Sequence, residues 1–365
     1  MHTKTETRRT WRNNGPLCRP PAFAVGLLLL LATAGCASHQ TRPLALHSPA
    51  SLAATAPLAE APVELKLVTF NVWGLPWWIN GADSRRFAHI AAELATLNPD
   101  FATLQEVWTR KAQRSAATTN GWWTAKVARS HLFFRRSGLV TLSRYPIVGG
   151  EFHPFHVACL PDAVVSKGAL KTTIQLASGV RVNLWNTHLQ AGESARADRI
   201  RCRQIDELTA WVAASDDGQI ADMVAGDFNC EPGSPPYQRL QERFGPGVVD
   251  PTRDRSVCTY DGMKPQGPTH LALDHVLIRL RQPLQTAQAN SAVVFNSLRV
   301  QDRLSDHLGV LVDLNLVPRA NPATTLDSGL LAARTPRSED RLLGLPVPFT
   351  QHATLSTAPD SFTVR

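Results

Sequence analysis

Seven side chains of types that can hold cations or move protons fall where apolar runs meet loops in this 365-residue chain: Asn71, Glu106, His188, Asp227, Asn229, Asp274 and His307. Asn71 follows LKLVTF, Glu106 follows FATLQ, and His188 lies near the end of VRVNLWNTHL. Asp227 and Asn229 close ADMVAGDFN, Asp274 opens DHVLIRL, and the pair Asp306-His307 precedes LGVLVDLNL. Taken singly, each has an ordinary explanation, because Asn and Asp close turns on their own backbone and a lone histidine is commonly structural. Taken together, acid, amide and imidazole groups at the ends of separate strands predict one cleft lined by reactive groups on a rigid scaffold.

The elements that must position them read from periodicity. Short β-branched runs start at Leu65, Phe101, Gly138, Ala169, Val180, Ala221, Asp274 and Leu308, several with strand alternation. Two helical patterns interrupt them. Residues 85–97 place Phe87, Ile90, Ala91 and Leu94 on one face and stop at Asn98-Pro99; residues 197–214 place Ile200, Ile205, Leu208, Trp211 and Val212 along a broad apolar stripe. Many strands with few helices predict an α+β fold of two packed sheets covered by helices.

Charge and cysteines bound the setting. The formal net charge is +8, but Lys4, Arg8, Arg9, Arg12 and Arg19 against Glu6 give +4 within residues 1–36, which leaves +4 for everything after them. That mild basicity lends little support to a DNA-binding protein. The basic stretch precedes an apolar run over residues 22–34 and then Gly35-Cys36, too short to span a bilayer and suited to a signal peptide. LATAGC is similar to a bacterial lipoprotein signal with Cys36 as the lipidated first mature residue; cleavage at Ala32-Thr33-Ala34 is the alternative. Export is expected either way, to a membrane-anchored or a secreted or periplasmic location. In that oxidising setting Cys159, Cys202, Cys230 and Cys258 could form one or two disulfides, with the pairing open. Residues 37–63 read as a flexible linker, 64–316 as the catalytic core and the proline-rich 317–365 as a mostly disordered tail.

The ordered set FNVWGLPWW, LQEV, SGLVTLSRYPI, NTHLQAG, AGDFN, LDHVLI and SDH resembles the endonuclease/exonuclease/phosphatase superfamily, over nearly the whole core. The resemblance implies a four-layered α/β sandwich, two mainly antiparallel sheets flanked by helices, that uses Mg2+ to cleave phosphate esters; Mn2+ or Co2+ are alternatives. Within the superfamily the chain is most similar to neutral and bacterial sphingomyelinases. PDAVVSKGAL carries Asp162 and Lys167 five residues apart, similar to a pair those enzymes hold beside a Lys-Gly step.

Carried over residue by residue, the resemblance implies Glu106 as the primary metal ligand, helped by Asn71, with Asp306 holding metal directly or through water. It implies His307 as general base, its ring fixed by Asp274, with Asp227 as the competing candidate for that role. Asp227 and Asn229 would position water and phosphoryl oxygens, His188 would stabilise transition-state charge, and Lys167 would add positive charge with Asp162 orienting it. The expected reaction is Mg2+-dependent hydrolysis of sphingomyelin to ceramide and phosphocholine by a monomer. The competing readings are a nuclease or phosphatase acting on nucleic acid or inositol phosphates, and a non-catalytic binding protein. Trp77-Trp78 and Trp122-Trp123 are expected in loops, where paired tryptophans suit a bilayer interface, while Trp73 is expected in the core of the first strand.

Overall fold

The computed structural model describes residues 44–47, 63–80, 84–117, 121–127, 136–176, 179–216, 218–245, 248–253, 257–264, 267, 269–281, 284–297 and 299–318. The strands are β1 (Leu44–His47), β2 (Val63–Asn71), β3 (Phe101–Gln105), β4 (Trp123–Val127), β5 (Val140–Ser143), β6 (Ile147–Pro154), β7 (Gly168–Gln175), β8 (Arg181–His188), β9 (Ala221–Asp227), β10 (Asp274–Leu280), β11 (Leu284–Val294) and β12 (Gly309–Pro318). The helices are α1 (Trp77–Asn80), α2 (Arg86–Leu97), α3 (Arg110–Ala117), α4 (Ala195–Ala214) and α5 (Pro235–Phe244). None of the described helices is long and apolar enough to cross a membrane.

Seven strands form one sheet in the order β1-β4-β5-β3-β2-β12-β11, and five form a second in the order β10-β9-β8-β7-β6. The pairs β2/β3 and β8/β9 are parallel; the other pairs are antiparallel. Alternation along the strands then makes the layers. On β2, Leu65 and Leu67 join Phe101, Ile174, Leu184, Met223, Ala225, Val276 and Val310 in the core between the sheets. Val68 and Phe70 point the other way, onto Phe87, Ile90 and Leu94 of α2. Across the second sheet, Trp185 and Val224 pack on Ile205, Leu208 and Val212 of α4 and on Leu240 of α5. The result is the expected helix–sheet–sheet–helix sandwich.

Helix ends follow local chemistry. Asn98 closes α2 in the left-handed region (φ 48°), its N–H donating to Leu94 O, and Pro99 follows. Ser194 caps α4 by accepting the Ala197 N–H, which starts this helix two residues before the predicted position. Ser234 does the same for α5, with Pro235 in the first turn, a helix that periodicity alone did not single out.

Several expectations are corrected. The predicted linker contains β1, whose four residues pair antiparallel with β4, and the predicted tail begins inside β12, which runs to Pro318. Trp123 lies on β4 against the inter-sheet core and Trp122 packs beside the α2 layer, so this pair is ordinary packing. Trp73 lies beyond the end of β2 with φ 49°, half-buried under the Arg86 guanidinium, and is not a strand-core residue. Trp78 falls on α1 rather than in a loop and is 69% exposed. Cys159, Cys202, Cys230 and Cys258 are all free thiols. The expected signal peptide over 1–36 with Cys36, most of the expected 37–63 linker and the expected tail beyond 318 lie outside the described residues.

Candidate active site

Strand parity carries straight from the core into the site. His188 shares a face with Val182 and Leu184 of β8, Asp227 with Met223 and Ala225 of β9, and Asp274 with Val276 and Ile278 of β10. Backbone register then sets them side by side, because His188 and Asp274 are both partners of Asp227, from the parallel and antiparallel side respectively. On the other sheet Asn71 continues the face of Leu65 and Leu67, and its partner is Gln105, one residue before Glu106. The seven predicted residues therefore gather at one end of the cleft between the sheets.

Asn71 joins the two sheets. Its Nδ2 donates to Glu106 Oε1 (3.1 Å) and to Asp227 Oδ2 (3.0 Å), while its Oδ1 accepts the Trp73 N–H (3.0 Å). In this arrangement Asn71 steadies two carboxylates with its amide nitrogen, and its oxygen, the atom a cation would need, is turned to the backbone. His307 Nδ1 lies 2.9 Å from Asp274 Oδ2, and its Nε2 lies 3.5 Å from Asp227 Oδ2. An ionised carboxylate only accepts, so Asp274 fixes the Nδ1–H form of the ring. The Tyr260 ring meets the His307 ring edge-on at a centroid distance of 4.8 Å. His188 Nε2 lies 3.3 Å from Asp227 Oδ2.

Asn229, at φ 50°, donates its own N–H to Asp227 Oδ1 (2.9 Å) and its side-chain amide to Leu189 O (3.2 Å). Lys167 is buried, donates to Leu189 O (2.8 Å) and pairs with Asp162 Oδ1 at 3.3 Å; the other Asp162 oxygen accepts the Ala191 N–H (2.6 Å). The Lys167–Asp162 pair thus borders the cleft on the His188 side.

Other residues of the site were not predicted. Ser305 Oγ donates to Asn71 O (2.7 Å), lies 3.1 Å from Asp306 Oδ1 and accepts the His307 N–H (3.3 Å), tying the SDH segment to β2. Thr259 Oγ1 accepts the N–H groups of Leu273 and Asp274. Beneath the charged groups, Gln105 Nε2 donates across the sheets to Asn186 Oδ1 (2.9 Å), and Asn186 Nδ2 donates to Leu104 O and Val140 O. The available signal was parity: Asn186 stands two residues before His188, and Gln105 pairs with Asn71.

Electrostatics follow from burial. Burial raises Glu106 above the usual carboxylate range against the opposing Asn71 hydrogen bond and the Lys167 charge. Burial likewise raises Asp227, although His307 opposes it, and pushes Asp306 up to about 6, with Glu106 and Asp227 adding repulsion. His188 is held well below its ordinary value by burial and by the positive charges of Lys167 and His307. Burial also acts to lower His307, but Asp274, Asp227 and Asp306 outweigh it and hold the ring well above its ordinary value.

The donor set fits a hard divalent cation. Asp227, Asp274 and His307 bring one potential ligand atom each to within 4.8 Å of one another, but the His307–Asp274 hydrogen bond already occupies two of those groups. Glu106 Oε2 is buried with no hydrogen-bond partner among the described residues, as is Asp274 Oδ1, the oxygen that His307 does not use. A buried, partnerless carboxylate oxygen with the second carboxylate of Asp306 in its field is the repulsive arrangement that a cation relieves.

Comparison with known proteins agrees with this architecture. The chain matches the Endonuclease/Exonuclease/phosphatase family over residues 68–307. It is 26% identical over 296 residues to a Drosophila melanogaster protein named as a candidate neutral sphingomyelinase, covering 74% of this chain and 65% of that one. It is 29% identical over 194 residues to the inositol phosphosphingolipids phospholipase C of Schizosaccharomyces pombe, covering 49% of this chain and 44% of that one. The chain thus spans under two thirds of the length of these relatives. The beta toxin of Staphylococcus aureus shares the fold, with a TM-score of 0.56 at 21% identity over 68% of this chain and 99% of that chain. With a family match that begins on β2 and ends at His307, so that it encloses every strand contributing to the cleft, the chain belongs to the Endonuclease/Exonuclease/phosphatase family.

Proposed function

We propose that the protein is an exported, Mg2+-dependent phosphodiesterase that hydrolyses sphingomyelin to ceramide and phosphocholine. The observation that carries the reading is the meeting, in one buried cleft, of an unsatisfied Glu106 oxygen and the His307 ring from the seven-stranded side with Asp274, Asp227 and His188 from the five-stranded sheet, His307 being hydrogen-bonded to Asp274 and both imidazoles lying within 3.5 Å of Asp227. The names of the sphingolipid-cleaving relatives favour that substrate class over nucleic acid, as does the mild charge of the core.

Glu106 and Asp306 would hold the cation, and the bound cation would neutralise charge on the phosphoryl oxygens. The chain's own groups do the rest. Asp274 keeps the His307 proton on Nδ1, so Nε2 faces the cleft as the base that takes a proton from the attacking water. Asp227 holds Asn71 through one oxygen, which lies 3.5 Å from His307 Nε2 and would favour the imidazolium formed when that nitrogen takes the proton, and is itself pinned through the other by the Asn229 N–H. The buried Lys167 would set a positive potential beside the pentacoordinate phosphorus, with Asp162 fixing the lysine, and the neutral His188 ring would offer a hydrogen bond there.

The lip next to Glu106 suits a lipid. A side chain at Gly74 would meet the Glu106 carbonyl oxygen at 2.2 Å, so the segment entering α1 runs directly against this residue. It carries Trp78 and Ile79 outward, 69% and 49% exposed, as an uncharged lip for acyl chains. The basic leader and Cys36 support export and lipid anchoring, which would keep the cleft near a membrane.

The test is turnover of sphingomyelin, phosphatidylcholine and plasmid DNA side by side, with Mg2+ and with chelator. Phosphocholine release from sphingomyelin that is lost in Glu106→Ala and His307→Ala supports the reading. DNA nicking without lipid turnover overturns it.

A further inference from the structure

The other side of the cleft is built differently from the Trp78 lip. Helix α4 carries Arg196, Arg199 and Arg203 on its outer surface, all exposed. At 3.6 residues per turn they fall within an arc of about 60°. The acids of the same helix are already engaged: Asp198 by Arg201, Asp206 by Arg239 and Arg243, and Glu207 by His156. No carboxylate among the described residues pairs with the three arginines; the exposed Glu193 stands just before the helix. Helix stability does not recommend this arrangement, because cations in the first turns oppose the positive end of the helix dipole.

The loop alongside adds an apolar surface. Ala158, Leu160, Pro161 and Ala163 are exposed, Leu160 by 56%. Ala158 and Leu160 share one depression with Arg196, and Val157 and Ala158 share another with Arg199 and Arg203. This surface is fixed to the cleft. Cys159 N donates to Gln190 Oε1 (2.8 Å), Gln204 Nε2 donates to Val157 O (2.9 Å), and Arg201 donates to Gln190 O and Gly192 O. Gln190 follows Leu189, the residue whose carbonyl holds Lys167 and Asn229, and His188 precedes it.

We infer that the Arg196/Arg199/Arg203 stripe, with Leu160 beside it, docks the protein on anionic lipid surfaces and turns the cleft toward the bilayer. Three unpaired guanidinium groups complement acidic headgroups, and the exposed leucine enters the acyl boundary below them. The inference rests on the lipid-hydrolase reading. It adds that the membrane must carry acidic lipid, which the uncharged Trp78 lip does not require.

Binding is measured in chelator, without turnover, using the purified full chain carrying Cys36→Ser so that no acyl anchor contributes. The probes are vesicles of phosphatidylcholine and sphingomyelin with or without phosphatidylglycerol. The wild type should bind the acidic vesicles more tightly, and added salt should weaken that preference. Replacing the three arginines with glutamine should lower affinity for acidic vesicles about a hundredfold, at roughly fivefold per charge. The triple lysine variant should retain most of the binding, and unchanged circular dichroism shows that both variants fold. Equal binding of the glutamine variant and wild type overturns the proposal, as does equal binding of wild type to both vesicle types. Retention on plasmid DNA that the glutamine variant loses, with no vesicle binding by wild type, would reassign the stripe to nucleic acid and overturn it too. Wild-type turnover of detergent-dispersed sphingomyelin is followed separately, so that failure of the lipid-hydrolase reading is distinguished from failure of the docking surface.

Discussion

The two sheets deliver their site residues in opposite ways. On the five-stranded sheet, His188, Asp227 and Asp274 are the last or first residues of neighbouring strands and sit abreast by backbone register. Asp227 and Asp274 are braced by hydrogen bonds at 3.0 Å or closer, and His188 Nε2 lies 3.3 Å from Asp227. On the seven-stranded sheet, Glu106 lies one residue past β3 at φ 58°, and Asp306 lies in the loop before β12. There the carboxylate oxygen of Glu106 is left without a partner. A row locked by strand pairing suits the groups that orient His307, itself from the same loop as Asp306, for a proton transfer that tolerates little misalignment; a loop carboxylate with a spare oxygen suits a cation, which draws its ligands in.

The sharpest way to break this contrast is to compare a row residue with a loop residue. Asp227→Asn should lower kcat by about 10^3- to 10^4-fold at every Mg2+ concentration, since it disturbs Asn71, His188, His307 and Asn229 together. Glu106→Gln should recover a substantial part of its loss as Mg2+ is raised. Steady-state kinetics over a metal titration separate the two, and metal rescue of Asp227→Asn would dissolve the contrast.

Next in size is the proton relay. His307 is held above its ordinary value, so below that point the ring is protonated and cannot accept a proton; kcat/KM should therefore rise with pH through it. Removing the Asp274 charge takes away a principal raising influence. Asp274→Asn should shift the rising limb to lower pH while lowering the plateau by about 10^2- to 10^4-fold. A limb that stays in place argues that another group controls it.

The amide bridge beneath the site should cost stability before chemistry. Gln105→Leu leaves Asn186 Oδ1 without its inter-sheet donor in a buried position, so unfolding free energy should fall by about 1–3 kcal/mol. Denaturant titration measures this, and an unchanged midpoint would show that the sheets do not depend on the bridge.

An effect of similar size has the opposite sign. Asp306 sits at about 6 in the folded protein and near 3.9 unfolded, so in the metal-free protein stability is present below pH ~4 and is lost as pH rises through 6. Asp306→Asn should therefore raise the metal-free Tm above pH 6, by several degrees for a stabilisation of about 1–3 kcal/mol, and the difference should vanish at low pH. Scanning calorimetry at two pH values, with and without Mg2+, reads both the sign and the relief by metal.

Legibility in the sequence followed the same division. The row residues were visible because each ends or opens a run whose alternation names its face, so Asp227 and Asp274 inherit the parity of Met223 and Val276. Both long helices were visible for a similar reason, a stripe with a stop or cap. What escaped depends on contacts distant in sequence. β1 is four residues long and acquires strand character only by pairing with β4, some 80 residues away. Ser305 gains meaning only by reaching Asn71 O across 234 positions, and the oxygen of Asn71 is turned from the cleft by the Trp73 backbone.

Because the reactive groups continue the faces of Leu67, Met223 and Val276, the gap between the sheets at Asp227 rests on the Gln105–Asn186 bridge and, below that, on hydrocarbon. The catalytic spacing is in that sense a property of how much oily volume fills the sandwich. Trimming a methylene from Met223 or Leu67, two periods of strand alternation away from Asp227 and Asn71, is then a fine adjustment of turnover, and hydrostatic compression of the same layer would act as a reversible form of it.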